Sequence, residues 1–283
     1  MATVSVLLET PLLRVGEFRC PPGDEAWREP NLIGDRPHVV FPRVPVVIQH
    51  DGGAPVLATS THTMLYNAEQ GYRRELRNAA GDDCVFVELS DDSLAQLAGE
   101  GAELVDAENR LAASHVPAGR DAYLLQYLLV RHLRSTSPDP FLAEEAAATL
   151  ALMALRPAPD AGRKSAAHRE LAEAAKDELA STDSRLSLHE LAHRLHSSAF
   201  HLARVFRAET GFSVHRFRQS LRLRAGLERL AAHSGELTAL ALELDFSSHS
   251  HFTERFRNEF GVCPSQVRDE HRIRRLLEAA LRG

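Results

Sequence analysis

His189-Glu190-Leu191-Ala192-His193 carries the residue types of a zinc hydrolase. On a helix, imidazoles four apart share a face, with a glutamate between them able to act as general base. A third histidine would complete the extended form of that signature, but His196 comes too early for it. The same segment also reads as an ordinary amphipathic helix, because Leu188, Leu191, Ala192 and Leu195 form an apolar stripe at helical spacing. Three further histidines, His38, His50 and His62, recur every twelve residues with no His-x-His pair among them. Neither set therefore commits the chain to metal, and no cofactor is expected.

A repeat frames the first of these segments. Ser197, Ser198, His201, Phe206, Arg207, Glu209 and Gly211 recur fifty residues later as Ser247, Ser248, His251, Phe256, Arg257, Glu259 and Gly261. Each copy is a serine pair, a helix-length stretch and a glycine stop. Two copies are too few for a solenoid, so they imply two similar helical modules. In the first, Ser187 and Glu190 fit a capping box, and Ser198 caps a second helix with Leu202, Val205 and Phe206 inward. Gly211 supplies the left-handed stop. In the second, Leu237, Leu240, Ala241 and Leu244 form the first helix, and Ser248 caps the next one, with Phe252 and Phe256 inward. A helix over Val214–His233 joins them.

The elements before these modules differ. Short runs rich in Val, Ile, Leu and Phe, such as His38–Phe41, Val44–His50, His62–Tyr66 and Cys84–Leu89, alternate with Gly, Pro and Asp turns. That pattern predicts a small antiparallel barrel or sandwich. Two amphipathic helices follow, over Asp121–Arg134 and Leu142–Leu155. Arg156 to Gly162, with two prolines and no apolar anchor, reads as a linker. The fold class is thus α+β in two domains: residues 1–155, a linker at 156–165, and an all-α domain at 166–283.

Charge follows the same division. The chain has 283 residues and a formal charge of −6, but residues 1–162 hold 13 basic and 23 acidic side chains while residues 163–283 hold 20 and 16. Ten of the 15 histidines lie in the second part. An acidic half joined to a basic one implies different partners for each. Cys20, Cys84 and Cys263 are scattered, which fits a reducing cytoplasm. No apolar run reaches a membrane span, and Met1-Ala2-Thr3-Val4 does not open like a secretory signal.

Leu191-Ala192, the run His201 to Ser213, Arg222-Leu223, Leu240-Ala241, Phe246 to Phe252, Phe256-Arg257 and Gly261-Val262-Cys263-Pro264 together resemble the DNA-binding domain of AraC-type transcription regulators. The pattern departs in three places: His196 and Asp245 replace the turn glycines, and Val214 stands where a proline is usual. The resemblance implies two helix-turn-helix modules joined by a long helix and bound to double-stranded DNA. It places base-reading side chains at Phe200, Ala203 and Arg204 in the first module and at His249, Ser250, Thr253 and Glu254 in the second. Ser198, His201, Arg207, Ser248 and Arg257 would meet phosphate.

The resemblance further implies that residues 1–155 form a cupin-like domain that binds a small-molecule effector and supports a homodimer acting with RNA polymerase. Trp27, Tyr66, Tyr72 and Arg73 are candidate pocket residues by type, and Leu124, Leu128 and Leu142 candidate dimer contacts. The rival reading is a cupin-type metalloenzyme with an appended helical module. A regulator is expected to be no enzyme.

Overall fold

The computed structural model describes residues 1–77, 79–108, 110–156, 165–181, 186–231 and 236–282. Most of the expected linker at 156–165, and the expected end of the joining helix at His233, lie outside the described residues. The fold is α+β, with a sheet-rich N-terminal region followed by helices. The strands are β1 (Thr3–Glu9), β2 (Leu13–Cys20), β3 (Asn31–Leu32), β4 (His38–Pro42), β5 (Val46–His50), β6 (Val56–Ala58), β7 (His62–Tyr66), β8 (Gly71–Leu76), β9 (Asp82–Leu89) and β10 (His115–Pro117). They form two antiparallel sheets, in the orders β1-β2-β9-β4-β7-β10 and β3-β8-β5-β6.

β9, central in the first sheet, is buried on both faces, which is why Cys84–Leu89 reads as almost continuously apolar. Along β9, Cys84 and Phe86 point to a core shared with Val40, Ile48, Met64 and Tyr66. Val85, Val87 and Leu89 point to the opposite core, with Leu13, Val15, Val39, Phe41 and Leu65. Side-chain alternation thus divides one strand between two environments.

The helices are α1 (Asp91–Gly99), α2 (Arg120–Leu133), α3 (Pro140–Leu155), α4 (Ala166–Ser181), α5 (Leu188–Arg194), α6 (Ala199–Thr210), α7 (Val214–Leu230), α8 (Leu237–Glu243), α9 (His249–Phe260), α10 (Pro264–Arg268) and α11 (Glu270–Arg282). The chain resolves into two compact units, one of Met1–Pro157 with Leu223–Gly283 and the other of Ala158–Arg222. One cut of this division, after Pro157, falls within the expected linker at 156–165, and the other runs through α7.

The reason is a shared core. Phe252, Phe256 and Phe260 of α9, with Ile273 and Leu277 of α11, lie in one apolar cluster with α2, α3 and the first sheet. A polar junction reinforces it. Arg224 is 4% exposed and donates to the carbonyls of Ser60 and Ala118, with its guanidinium 4.8 Å from the Tyr123 ring. Glu228 accepts from the Tyr123 hydroxyl at 2.9 Å and from Gln126 Nε2 at 3.3 Å.

That packing corrects the expected dimer contacts. Leu124, Leu128 and Leu142 are 8%, 0% and 8% exposed, taken up by the chain's own core. Little of their surface is left to offer a second copy. The apolar stripes were real, but α3 and α11 cover α2.

The second unit has its own core. Ala172, Ala175 and Leu179 of α4 pack with Leu191, Ala192, Leu202, Phe206, Val214 and Phe217.

Candidate functional site

Each helix pair is built from short-range signals. In the first, Ser187 Oγ accepts from Glu190 N at 3.2 Å while Glu190 Oε2 accepts from Ser187 N at 2.7 Å. This reciprocal box starts α5 and engages the glutamate that a zinc hydrolase would need as base. At the turn, His196 adopts φ 51°, and Ser197 N donates to Ala192 O at 2.9 Å. The second pair turns the same way: Asp245 has φ 62°, and Phe246 N donates to Ala241 O at 2.9 Å. The left-handed region favours glycine, and Asp and His are among the side chains that tolerate it. Both following helices end at a glycine with φ 74°, Gly211 and Gly261.

Close packing explains the glycine in α7. A Cβ at Gly226 would lie 2.9 Å from Leu244 Cδ1 and 3.2 Å from Phe252 Cε2, so the α8–α9 pair seats against bare backbone.

The outward faces of α6 and α9 hold the expected contact residues. On α6, Phe200 is 91% exposed, an unusual state for a large apolar ring, and His201, Arg204 and Arg207 are exposed beside it. Ala203 is half-buried. Arg204 Nη2 lies 3.3 Å from His201 Nδ1. On α9, His249, Ser250, Glu254 and Arg257 are exposed and Thr253 is half-buried. Ser198 and Ser248 are exposed, but their hydroxyls cap the helices by accepting from His201 N at 3.2 Å and His251 N at 3.1 Å. Arg255, which sequence reasoning passed over, is exposed next to Glu254 and donates to His251 Nε2 at 3.4 Å.

The β region encloses a cavity of about 320 Å³. Tyr66 and Tyr72 line it, Trp27 packs against the same core, and Arg73 does not line it. Arg73 is exposed on β8, while Arg74 is 7% exposed and lines the cavity. Strand alternation is the reason, since Tyr72 and Arg74 share a face and Arg73 takes the other. Arg74 donates to Asp82 Oδ2 at 3.2 Å and to Asn31 Oδ1. Burial holds the Asp82 carboxyl above the ordinary carboxylate range, against the opposing pull of Arg74.

The three spaced histidines are not assembled into a ligand set. His38 lines the cavity with its Nε2 3.2 Å from Glu88, His50 packs on the Tyr66 ring at 4.4 Å, and His62 faces His115 at 5.8 Å. Among the described residues, no group of three or more His, Cys, Asp or Glu could hold a metal.

His50 is 6% exposed, and burial, aided by His115 and opposed by Asp51, pushes its pKa down from 6.5 to about 4. The unfolded chain therefore binds a proton that the fold excludes between these values, so stability is lost as the pH drops from 6.5 toward 4. The full effect is roughly 3 kcal/mol. Thermal melts from pH 7 to pH 4 should show the wild type losing more stability than His50→Gln. Parallel curves would refute the assignment.

A helix-turn-helix domain model matches residues 191–270, spanning both helix pairs and none of the sheet region. The multiple antibiotic resistance protein MarA of Escherichia coli (strain K12) is 31% identical over 86 residues, covering 30% of this chain and 68% of MarA. The chain belongs to the AraC family. A second relative, the HTH-type transcriptional regulator MtrA of Neisseria gonorrhoeae, is 33% identical over 69 residues, and the match spans only 23% of its length. A transcriptional regulator with an AraC-type DNA-binding domain from Chromobacterium violaceum is 27% identical with a TM-score of 0.33, over 36% of this chain and 91% of that one. Apo ToxT K231A from Vibrio cholerae is 10% identical with a TM-score of 0.38, over 92% and 98%.

AraC membership sets aside the metalloenzyme reading of His189-Glu190-Leu191-Ala192-His193, because the family consists of transcription regulators and not enzymes. Among the described residues, no helix is long and apolar enough to cross a membrane.

Proposed function

We propose that this AraC-family chain binds operator DNA sequence-specifically through two helix-turn-helix modules, α5–α6 and α8–α9. Its occupancy would respond to a small molecule held in a cupin-like β domain. The observation that carries the reading is the outer face of α6, where a 91% exposed Phe200 stands beside exposed Arg204 and Arg207 on a helix inside the family match. A solvated ring and two exposed cations are costly or idle in water, and useful against base edges and phosphates.

In this reading Phe200, Ala203 and Arg204 read bases in the first module, and His249, Ser250, Thr253 and Glu254 in the second. Ser198, His201, Arg207, Ser248 and Arg257 face phosphate, the serines through the backbone amides that their caps orient. Glu254 repels phosphate and can accept only from a donor such as cytosine N4, so the first module is the stronger reader. The protein would act in the cytoplasm with RNA polymerase. A homodimer would use a surface other than the buried Leu124, Leu128 and Leu142.

Selection of binding sites from random duplexes, followed by titration of the best site, tests this. Affinity should fall steeply with salt, because each phosphate contact releases counterions. Arg204→Ala should cost about 1–3 kcal/mol and relax preference at one base pair. A variant that weakens all sequences equally would make Arg204 a phosphate contact instead. Affinity indifferent to sequence would remove the regulator reading.

A further inference from the structure

The effector reading leaves the ligand's chemistry open. The cavity's own side chains narrow it, on the premise that the β domain holds an effector. The cavity lies between the two sheets, walled by Phe18, Ile48, Met64 and Phe86, with Val4 and Leu32 as an exposed rim. At about 320 Å³ it is near the small end of ligand sites, suited to a compact body and not a bulky one.

Among the described residues that line it, Arg74 is the only Lys or Arg. Its guanidinium sits 4.6 Å from the Phe18 ring centroid, 5.7 Å from Trp27 and 5.8 Å from Tyr72. The two Nη atoms are engaged by Asp82 and Asn31, but the buried Nε has no partner. A buried charged donor left unmatched calls for an acceptor. Asp82 meets the guanidinium through one oxygen at 3.2 Å, and the partner of the other Nη, Asn31, is neutral. The other lining acid, Glu88, is already matched by Arg14 at 2.9 Å and His38 at 3.2 Å.

We propose that the cavity binds a compact monocarboxylic acid with an aromatic body, its carboxylate accepting from Arg74 and its ring packed among Phe18, Tyr66, Tyr72 and Phe86. A planar guanidinium matches a carboxylate better than any single neutral acceptor. A cationic ligand would meet Arg74 with like charge. A phosphomonoester would bring more charge than one partly matched guanidinium can answer.

The chain holds a single tryptophan, Trp27, beside Arg74, so its emission reports on the site. Full-length protein is titrated with 3-phenylpropanoate, 3-phenylpropanamide and 3-phenylpropan-1-ol, which share a body and differ in the head group. The acid should bind saturably, at least tenfold tighter than the other two. Arg74→Met combined with Asp82→Asn, which leaves no orphan carboxylate, should erase that preference, while Asp82→Asn alone keeps it. Melting curves show whether each variant folds, and Asp82→Asn alone decides if the double variant does not. Equal affinity for the three, or no saturable binding of the acid, overturns the proposal. Footprinting with and without the acid separates the two readings. Acid binding that leaves operator occupancy unchanged sinks the effector reading and spares the ligand class. Specific DNA binding by a protein that ignores the acid does the reverse.

Discussion

Phe256→Ala is expected to destabilise the sheet region as strongly as the helical module in which it sits, by about 3–5 kcal/mol. Phe256 is fully buried, with its ring centroid 5.5 Å from that of Phe252 and 4.8 Å from that of Phe260. The cluster around it contains Leu128 of α2, Leu150 of α3 and Val87 of β9. A cavity there loosens contacts on both sides, and the surroundings can relax only partly. The measurement is a denaturant titration followed by Trp27 fluorescence, which reports from the sheet region, and by far-ultraviolet circular dichroism. Both midpoints should shift together. Phe206 is equally buried but belongs to the other core, so Phe206→Ala should leave the Trp27 midpoint in place. A Trp27 transition unmoved by Phe256→Ala would mean that residues 223–283 fold apart from the β region.

That outcome is what the sequence alone would have favoured, and the reason is physical. The repeat, the caps and the glycine stops are local devices, legible from a few neighbouring residues. Ser187 with Glu190, Gly211 and Gly261 all behave as their types dictate. His196 and Asp245 occupy the left-handed turns that their positions demanded. Whether an apolar stripe is covered by its own chain or by a second copy is not local. Leu124 and Leu128 look the same in either case, and only α11, which carries a dense run of arginines that hides Ile273 and Leu277, shows which one holds.

Charged strands were the second blind spot. β2 and β8 carry Arg14, Glu17, Arg19, Arg73, Arg74 and Glu75, so neither stands out as an apolar run. Their inward charges are tolerated because partners arrive from other segments, Arg43 for Glu17 and Asp82 for Arg74. Arg73, named by residue type, lies on the outer face of β8 while its neighbour Arg74 lines the cavity, a distinction that needs the strand alternation of β8. On the helical side, residue type and helix position found the exposed faces of α6 and α9, because two turns of helix fix direction.

Arg43→Met should cost a similar 3–5 kcal/mol at neutral pH, because it strands buried carboxylates. Arg43 Nη1 donates to Glu17 Oε1 at 2.6 Å and lies 3.2 Å from Asp83 Oδ1, and its Nε is 3.2 Å from Glu228 Oε2, an ion-pair contact without hydrogen-bond geometry. Glu17 is 3% exposed and also meets Arg134. Burial works against the charge on Arg43, but Glu228, Asp83 and Glu17 outweigh it and hold its pKa above the ordinary value. Glu228 is already raised by burial, with Arg43 opposing.

Without Arg43 the Glu228 carboxyl should be raised further in the fold, while the unfolded chain keeps its ordinary value. A folded state that binds protons more readily gains stability as pH falls through its raised pKa values. The penalty should therefore be largest at pH 7 and above and shrink toward pH 5, opposite in sign to the His50 effect. Chemical denaturation of both proteins across that range reads it directly. Glu228→Gln in the Arg43→Met background removes one stranded charge and keeps an acceptor for the Tyr123 hydroxyl, so it should restore part of the loss, whereas alone in wild type it should not stabilise. A penalty flat with pH and untouched by Glu228→Gln would show that Arg43 acts through packing of its stem rather than through its charge.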